Sequence, residues 1–87
     1  MKTGYSKDAL KFLNKQNKNT VTLIRTKIKQ NLTIKPPTGN VVKLEGYNDN
    51  RKRLKIGKWR VIFRHDVENK KDILKIIDID SRGDIYK

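Results

Sequence analysis

The sequence predicts an α+β domain, a two-helix N-terminal hairpin packed on one face of a small, mainly antiparallel β-sheet. Three observations carry this. Apolar residues recur at helical spacing between Ala9 and Leu32, and they alternate at period two between Leu54 and Phe63. A firm loop signal, Pro36-Pro37-Thr38-Gly39-Asn40, separates the two regimes. Helices grouped first and strands grouped after give segregated layers rather than βαβ alternation. The 87 residues are enough for one modest core, so the whole chain, 1–87, reads as a single domain.

The opening Met1–Tyr5 is long enough only for a fragment of an edge strand. Ser6 is a good N-cap for a helix reaching about Gln16, with Asp8 in the first turn near the positive end of the dipole. Ala9, Leu10, Phe12 and Leu13 form its narrow apolar stripe. Asn17-Lys18-Asn19 breaks it, and Asn19 or Thr20 caps a second helix running to about Leu32. There Val21, Ile24, Ile28 and Leu32 share one face. The short link makes a helical hairpin. Val41–Leu44 is a short strand, and Glu45–Asn50 is a polar loop holding Gly46 and Tyr47. Asp66–Lys71 reads as a polar turn. Ile73–Ile79, the most apolar run, reads as a central strand, and Ser81–Lys87 is a polar tail.

The most informative stretch is Arg51–Arg64. Gly57-Lys58 suits a two-residue type II′ turn, which fixes the register of a hairpin around it. Leu54, Ile56, Trp59, Val61 and Phe63 then share the buried face, and Arg51, Arg53, Lys55, Arg60 and Arg64 share the other. This register opposes Lys55 to Arg60 and Arg51 to Arg64, and like charges directly opposite cost stability. Folding alone does not ask for that. An external polyanion, with RNA phosphate the obvious candidate, explains it; a solvated face of a basic protein is the other reading. The net charge of +13 is unevenly spread, with 17 Lys/Arg against 3 Asp/Glu in residues 1–65 and 5 against 6 in residues 66–87. Such a balance favours nucleic acid or an acidic protein partner.

The absence of cysteine excludes a disulfide framework and thiolate chemistry, and a single histidine gives a zinc or other transition-metal site no ligand set. No metal or other cofactor is expected. Asp78, Asp80 and Asp84 lie in or beside one strand with Arg82 among them, and they read as partners for cations rather than as oxygen ligands. No apolar run is long enough to span a membrane and no signal-peptide pattern opens the chain, so a cytoplasmic protein is expected.

Three segments together resemble the RelE toxin family of the RelE/ParE superfamily. They are Leu44-Glu45-Gly46, Arg53-Leu54-Lys55-Ile56-Gly57-Lys58-Trp59-Arg60-Val61-Ile62-Phe63 and Arg82-Gly83-Asp84-Ile85-Tyr86-Lys87. The family pattern is a Lys-Leu-x-Gly segment, an Arg-Leu-Arg-x-Gly-x-Tyr-Arg-Val-Ile-Tyr hairpin and a C-terminal Arg-Gly-x-x-Tyr. The resemblance spans nearly the whole chain, including the leading helices. It implies a toxin of a type II toxin–antitoxin system, a ribosome-dependent endoribonuclease that cleaves mRNA in the A site and is neutralised by a cognate acidic antitoxin. This sequence departs from the pattern in having Trp59 at the usual Tyr and Ser81 where many relatives carry His. Its N-terminal strand is also very short, which weakens one sheet edge or leaves it to a partner.

RNA cleavage by its own 2′-hydroxyl needs a base for the 2′-OH proton, an acid for the 5′-oxygen and cations for the phosphorane. Lys55 is the base candidate, because neighbouring Arg53 and Arg60 disfavour its charged form; a permanently charged phosphate contact is the equal alternative. Arg53 and Arg60 cannot act as bases and suit bidentate phosphate contact and transition-state charge. By resemblance Arg82 binds phosphate, against a surface Arg paired with Asp80 or Asp84. Tyr86 by resemblance hands over a proton or stacks on a base, against a packing aromatic that pins the tail. The expected catalytic set is therefore Lys55, Arg60, Arg82 and Tyr86, with Arg51, Lys52, Arg53 and Arg64 as RNA contacts. His65, on the buried side beyond Phe63, reads as structural. Two other functions stay open: a ParE-like inhibitor of DNA gyrase, and a basic RNA-binding relative without activity.

Overall fold

The computed structural model describes residues 1–81. The chain opens with a strand, β1 (Lys2–Tyr5), followed by two helices, α1 (Lys7–Asn14) and α2 (Lys18–Leu32). Four strands complete it: β2 (Asn40–Lys43), β3 (Lys52–Ile56), β4 (Trp59–Glu68) and β5 (Lys71–Ser81). All five strands form one sheet in the order β1-β5-β4-β3-β2. The α+β class holds, but the helices do not form a free-standing N-terminal hairpin. They sit between β1 and the remaining strands, and β1 runs parallel to β5, with Lys2 opposite Ile73 and Tyr5 opposite Ile76. The sheet is therefore mixed. Four residues with one large apolar side chain carry no period of their own, and this strand is made by backbone pairing to a distant partner.

Ser6 ends β1 and starts α1. Its side chain accepts the Ala9 N–H as the N-cap, its own N–H donates to Ile76 O at 2.9 Å, and its hydroxyl donates to Ile77 O. One residue thus caps the helix and fixes its start on β5. Asn17, rather than Asn19 or Thr20, caps α2, its side chain accepting the Thr20 N–H at 2.8 Å. Ala9 and Leu13 of α1 and Ile24, Ile28 and Leu32 of α2 are buried against Leu54, Ile56, Val61, Phe63, Leu74, Ile76 and Ile79 of the sheet. Trp59 packs at the margin of that core.

The β3–β4 hairpin has the expected register, with Ile56 opposite Trp59, Lys55 opposite Arg60, Leu54 opposite Val61 and Arg53 opposite Ile62. Gly57 takes φ +56°, the left-handed value that the first turn position requires. β4 continues to Glu68, past the segment expected to turn at Asp66. The turn is only Asn69-Lys70, both at positive φ (51° and 64°), the pattern of a type I′ connection. β5 lies between β1 and β4, as a central strand should. A bulge interrupts its pairing with β4: Asp78 opposes Ile62 and Ile76 opposes Phe63, which leaves Ile77 without a partner residue. The bulge shifts which residues face the core, so Leu74 and Ile76 are buried on one side of it and Ile79 on the other. Among the described residues, no helix is long and apolar enough to cross a membrane.

Candidate nucleic-acid interface

The helices cover one face of the sheet; alternation along the strands assigns the cations to the other. Two rows cross this outer face. One runs Asn40, Lys55, Arg60, Asp80, and the next runs Val42, Arg53, Ile62, Asp78. The sequence-predicted residues Arg53, Lys55 and Arg60 therefore stand together on two adjacent strands, close to the Gly57-Lys58 turn. Lys52 does not join them. It alternates with Arg53 and falls in register between Lys43 and Phe63, on the helix side of the sheet.

The outer face is less purely cationic than its hairpin suggests. Arg60 Nε donates to Asp80 Oδ1 at 3.2 Å, in a pair whose side chains are 17% and 33% exposed. Asp80 thus meets one of the two positive charges that the sequence sets around Lys55. The Nη groups of Arg60 have no protein partner among the described residues and remain available to a ligand. Arg53 has no acidic partner among the described residues, and its buried Nε has no hydrogen-bond acceptor there. Lys55 likewise forms no ion pair among the described residues. Among the described residues Asp78 meets no cation; its carboxylate accepts the Ile79 N–H at 2.9 Å. Burial, followed by the charges of Asp80 and Asp8, raises its pKa from the usual carboxylate value.

Arg51 and Arg64 are not a bare like-charge pair. β3 begins at Lys52, so Arg51 lies just outside the ladder, and a loop carboxylate takes up both guanidinium groups. Asp49 accepts Arg51 Nε on Oδ1 at 3.0 Å, and it accepts Arg51 Nη2 and Arg64 Nη1 on Oδ2 at 2.8 Å each. These bonds hold the Asp49 carboxyl well below the ordinary carboxylate range, those from Arg51 being the largest cause. The Arg51 guanidinium also lies over the Tyr47 ring, 4.2 Å from its centroid, which gives Tyr47 a contact that its loop position alone did not reveal. The network continues through Asp66, which pairs with Arg64 at 3.7 Å and with Lys75 at 3.3 Å.

Beside this clamp the outer face opens into a hollow of about 410 Å³ over β1 and β5. Gly4, opposite Lys75, presents no side chain there, and Ile77 lines the hollow from the bulge. Sequence reasoning missed both Asp49 and the hollow. The only signal was an aspartate two residues before Arg51, and only the loop conformation turns it onto Arg64.

His65 stands opposite Leu74 on the helix side of the sheet, the side that strand alternation assigns it. Its Nε2 lies 2.6 Å from Leu32 O at the end of α2, and its ring meets Phe63 edge-on at 5.7 Å between centroids. Among the described residues, no three His, Asp or Glu side chains group as a metal-ligand set. Arg82 and Tyr86, expected in the catalytic set, lie outside the described residues, as does Asp84. The described chain ends at Ser81, opposite Trp59 and next to Arg60's partner Asp80.

The arrangement offers a cluster of three cations, Lys55 and Arg60 in one row and Arg53 in the next, with donors unspent among the described residues, flanked by a carboxylate-clamped arginine pair. That is chemistry for holding a polyanion. A family model described as the ParE toxin of the type II toxin–antitoxin system, parDE, matches residues 4–86. The fold is similar to a chain in the crystal structure of the RelB-RelE antitoxin-toxin complex from Methanococcus jannaschii. The TM-score is 0.65 and the identity 20%, over 94% of this chain and 93% of that one. No curated protein matches the sequence. With a family match over nearly its full length and the fold to go with it, the chain belongs to the RelE/ParE superfamily of type II toxin–antitoxin toxins.

Proposed function

We propose that this toxin is a ribosome-dependent mRNA endoribonuclease acting in the A site, with residues 1–87 working as one cytoplasmic domain. The observation that carries this reading is the cluster of Arg53, Lys55 and Arg60 on the open sheet face, each with donors that no described carboxylate consumes. In this mechanism Lys55 Nζ takes the proton from the 2′-hydroxyl. The 2′-oxygen attacks the adjacent phosphorus, the bond to the 5′-oxygen breaks and that oxygen takes up a proton, leaving a 2′,3′-cyclic phosphate and a 5′-hydroxyl. The Nη groups of Arg60 and the Arg53 guanidinium meet the charge that builds on the phosphorane oxygens. Arg82 as a phosphate ligand and Tyr86 as a proton donor or stacking platform come from the family resemblance. A cognate acidic antitoxin would neutralise the toxin by covering the basic face.

Variants of Lys55 test the mechanism. A base is lost in both Lys55→Ala and Lys55→Arg, because guanidinium stays protonated, so both should cleave about 10²–10⁴-fold more slowly. Cleavage restored by Lys55→Arg would make Lys55 a phosphate contact instead. The second reading, inhibition of DNA gyrase without cleavage, is favoured by the description of the matching family model. A gyrase inhibitor has no use for a phosphate-cleaving cluster, and it would act identically with Lys55 or Arg60 replaced.

A further inference from the structure

The Asp49 clamp has the form of an occupied anion site. One carboxylate receives three charge-assisted hydrogen bonds from two guanidinium groups, at 3.0, 2.8 and 2.8 Å. Two non-bridging phosphate oxygens would receive the same donors in the same way. Arg64 also meets Asp66, but only at 3.7 Å, and it keeps a buried Nε without an acceptor among the described residues, so the clamp still holds an unused donor. The hollow beside the clamp is ready-made space. Gly4 lies across from Lys75, and a Cβ built on it meets nothing within 4 Å.

We infer that the hollow bounded by Gly4, Ile77, Arg51, Arg64 and Lys75 is a phosphodiester subsite for single-stranded RNA, and that Asp49 stands in for the phosphate until RNA displaces it. This deepens the nuclease reading and rests on it for the choice of RNA. Asp49 is carried by an exposed loop whose neighbours in the segment, Gly46 and Asn50, take positive φ (84° and 57°). The loop's backbone is tied by a bond from Leu44 N to Arg51 O at 3.2 Å, so Asp49 can swing out without breaking a strand ladder. The Tyr47 ring under Arg51 keeps that guanidinium placed when the carboxylate leaves. Asp49 would thereby weaken RNA binding in the free protein and yield only to a phosphate delivered in the right place.

Two variants push in opposite directions. Asp49→Asn removes the competing charge and should tighten binding of a 12-nucleotide single-stranded RNA, read by fluorescence anisotropy without ribosomes. One additional phosphate engaged makes the log–log salt slope steeper by about 0.7, which is about fivefold in affinity near 0.1 M salt. Gly4→Val fills the hollow without touching a charge and should weaken binding, and β1 accepts a β-branched residue. DNA of the same sequence forms a second arm, in which an equal gain supports a subsite that reads phosphate rather than sugar. Unchanged or weaker RNA binding by folded Asp49→Asn overturns the inference, as does Gly4→Val binding like the parent. In the unmodified protein, the backbone amide signals of Gly4 and Asp49 should move when the RNA is added, and signals that stay fixed while others move also overturn it. Cleavage on ribosomes is scored separately, so a failed subsite and a failed nuclease reading give different patterns.

Discussion

Replacing Arg60 by glutamine separates what this residue does for the fold from what it does for RNA. The pair with Asp80 spans 3.2 Å, and its side chains are 17% and 33% exposed, so solvent still screens it. Such a pair contributes about 0.5–1 kcal/mol. In a domain of this size about 1 kcal/mol moves Tm by about 4–8 °C, so Arg60→Gln should lower Tm by a few degrees and leave the protein folded. The chemical loss is of another order. Removing a donor to a phosphorane oxygen costs about 10²–10³ in rate. Adding Asp80→Asn removes the carboxylate left unpaired and should return much of the lost stability without returning any cleavage. The assay is thermal unfolding beside single-turnover cleavage of a defined mRNA on stalled ribosomes, for Arg60→Gln, Asp80→Asn and the double variant. Cleavage that recovers with Tm in the double variant would refute the reasoning and make Arg60 a structural residue.

Two further outcomes follow from the same geometry. His65→Ala leaves Leu32 O at the end of α2 without its partner and removes the edge contact to Phe63, so it should destabilise by about 1–3 kcal/mol in urea unfolding while cleavage per folded molecule is unchanged; slow cleavage by fully folded protein would put His65 into the chemistry. Burial, with Asp80 and Asp8 adding, raises the folded-state pKa of Asp78 above its unfolded value, so ionising it costs stability as pH rises through the window between the two. Asp78→Asn keeps an oxygen for the Ile79 N–H and removes the charge. It should therefore raise Tm at pH 7 and lose that advantage near about pH 3, where the carboxyl is protonated in both states; an equal or lower Tm at pH 7 would contradict this sign.

The parts legible in the sequence are those fixed by local chemistry. Gly57-Lys58 sets a two-residue turn, and from it the pairing of Lys55 with Arg60 and the facing of Leu54, Val61 and Phe63 follow by alternation. Ser6 is legible as a cap because it precedes a clean apolar stripe. The cap of α2 is not, since Asn17, Asn19 and Thr20 can all accept from a first-turn N–H and only tertiary placement chooses Asn17. The long β4 was hidden by Asp66 and Glu68, which resemble turn residues but stand on the outer face and near the sheet's end, where Asp66 finds Lys75. β1 is the short edge strand its length suggests, but its parallel pairing with β5 is not legible, because it depends on where distant segments of the chain meet. The outer face shows the same division. Strand alternation places Arg53, Lys55 and Arg60, whereas the counter-ions Asp49 and Asp80 arrive from a loop and from the next strand over, and so does the relief of the like-charge cost that made the face conspicuous.

The central claim is that the open cationic face cuts mRNA on the ribosome. The most direct test adds the purified protein to a reconstituted translation reaction and maps mRNA ends by primer extension, with and without ribosomes. The account predicts new 5′ ends at A-site codons only when ribosomes are present. Intact mRNA in both reactions, with gyrase supercoiling blocked in a parallel assay, would contradict it.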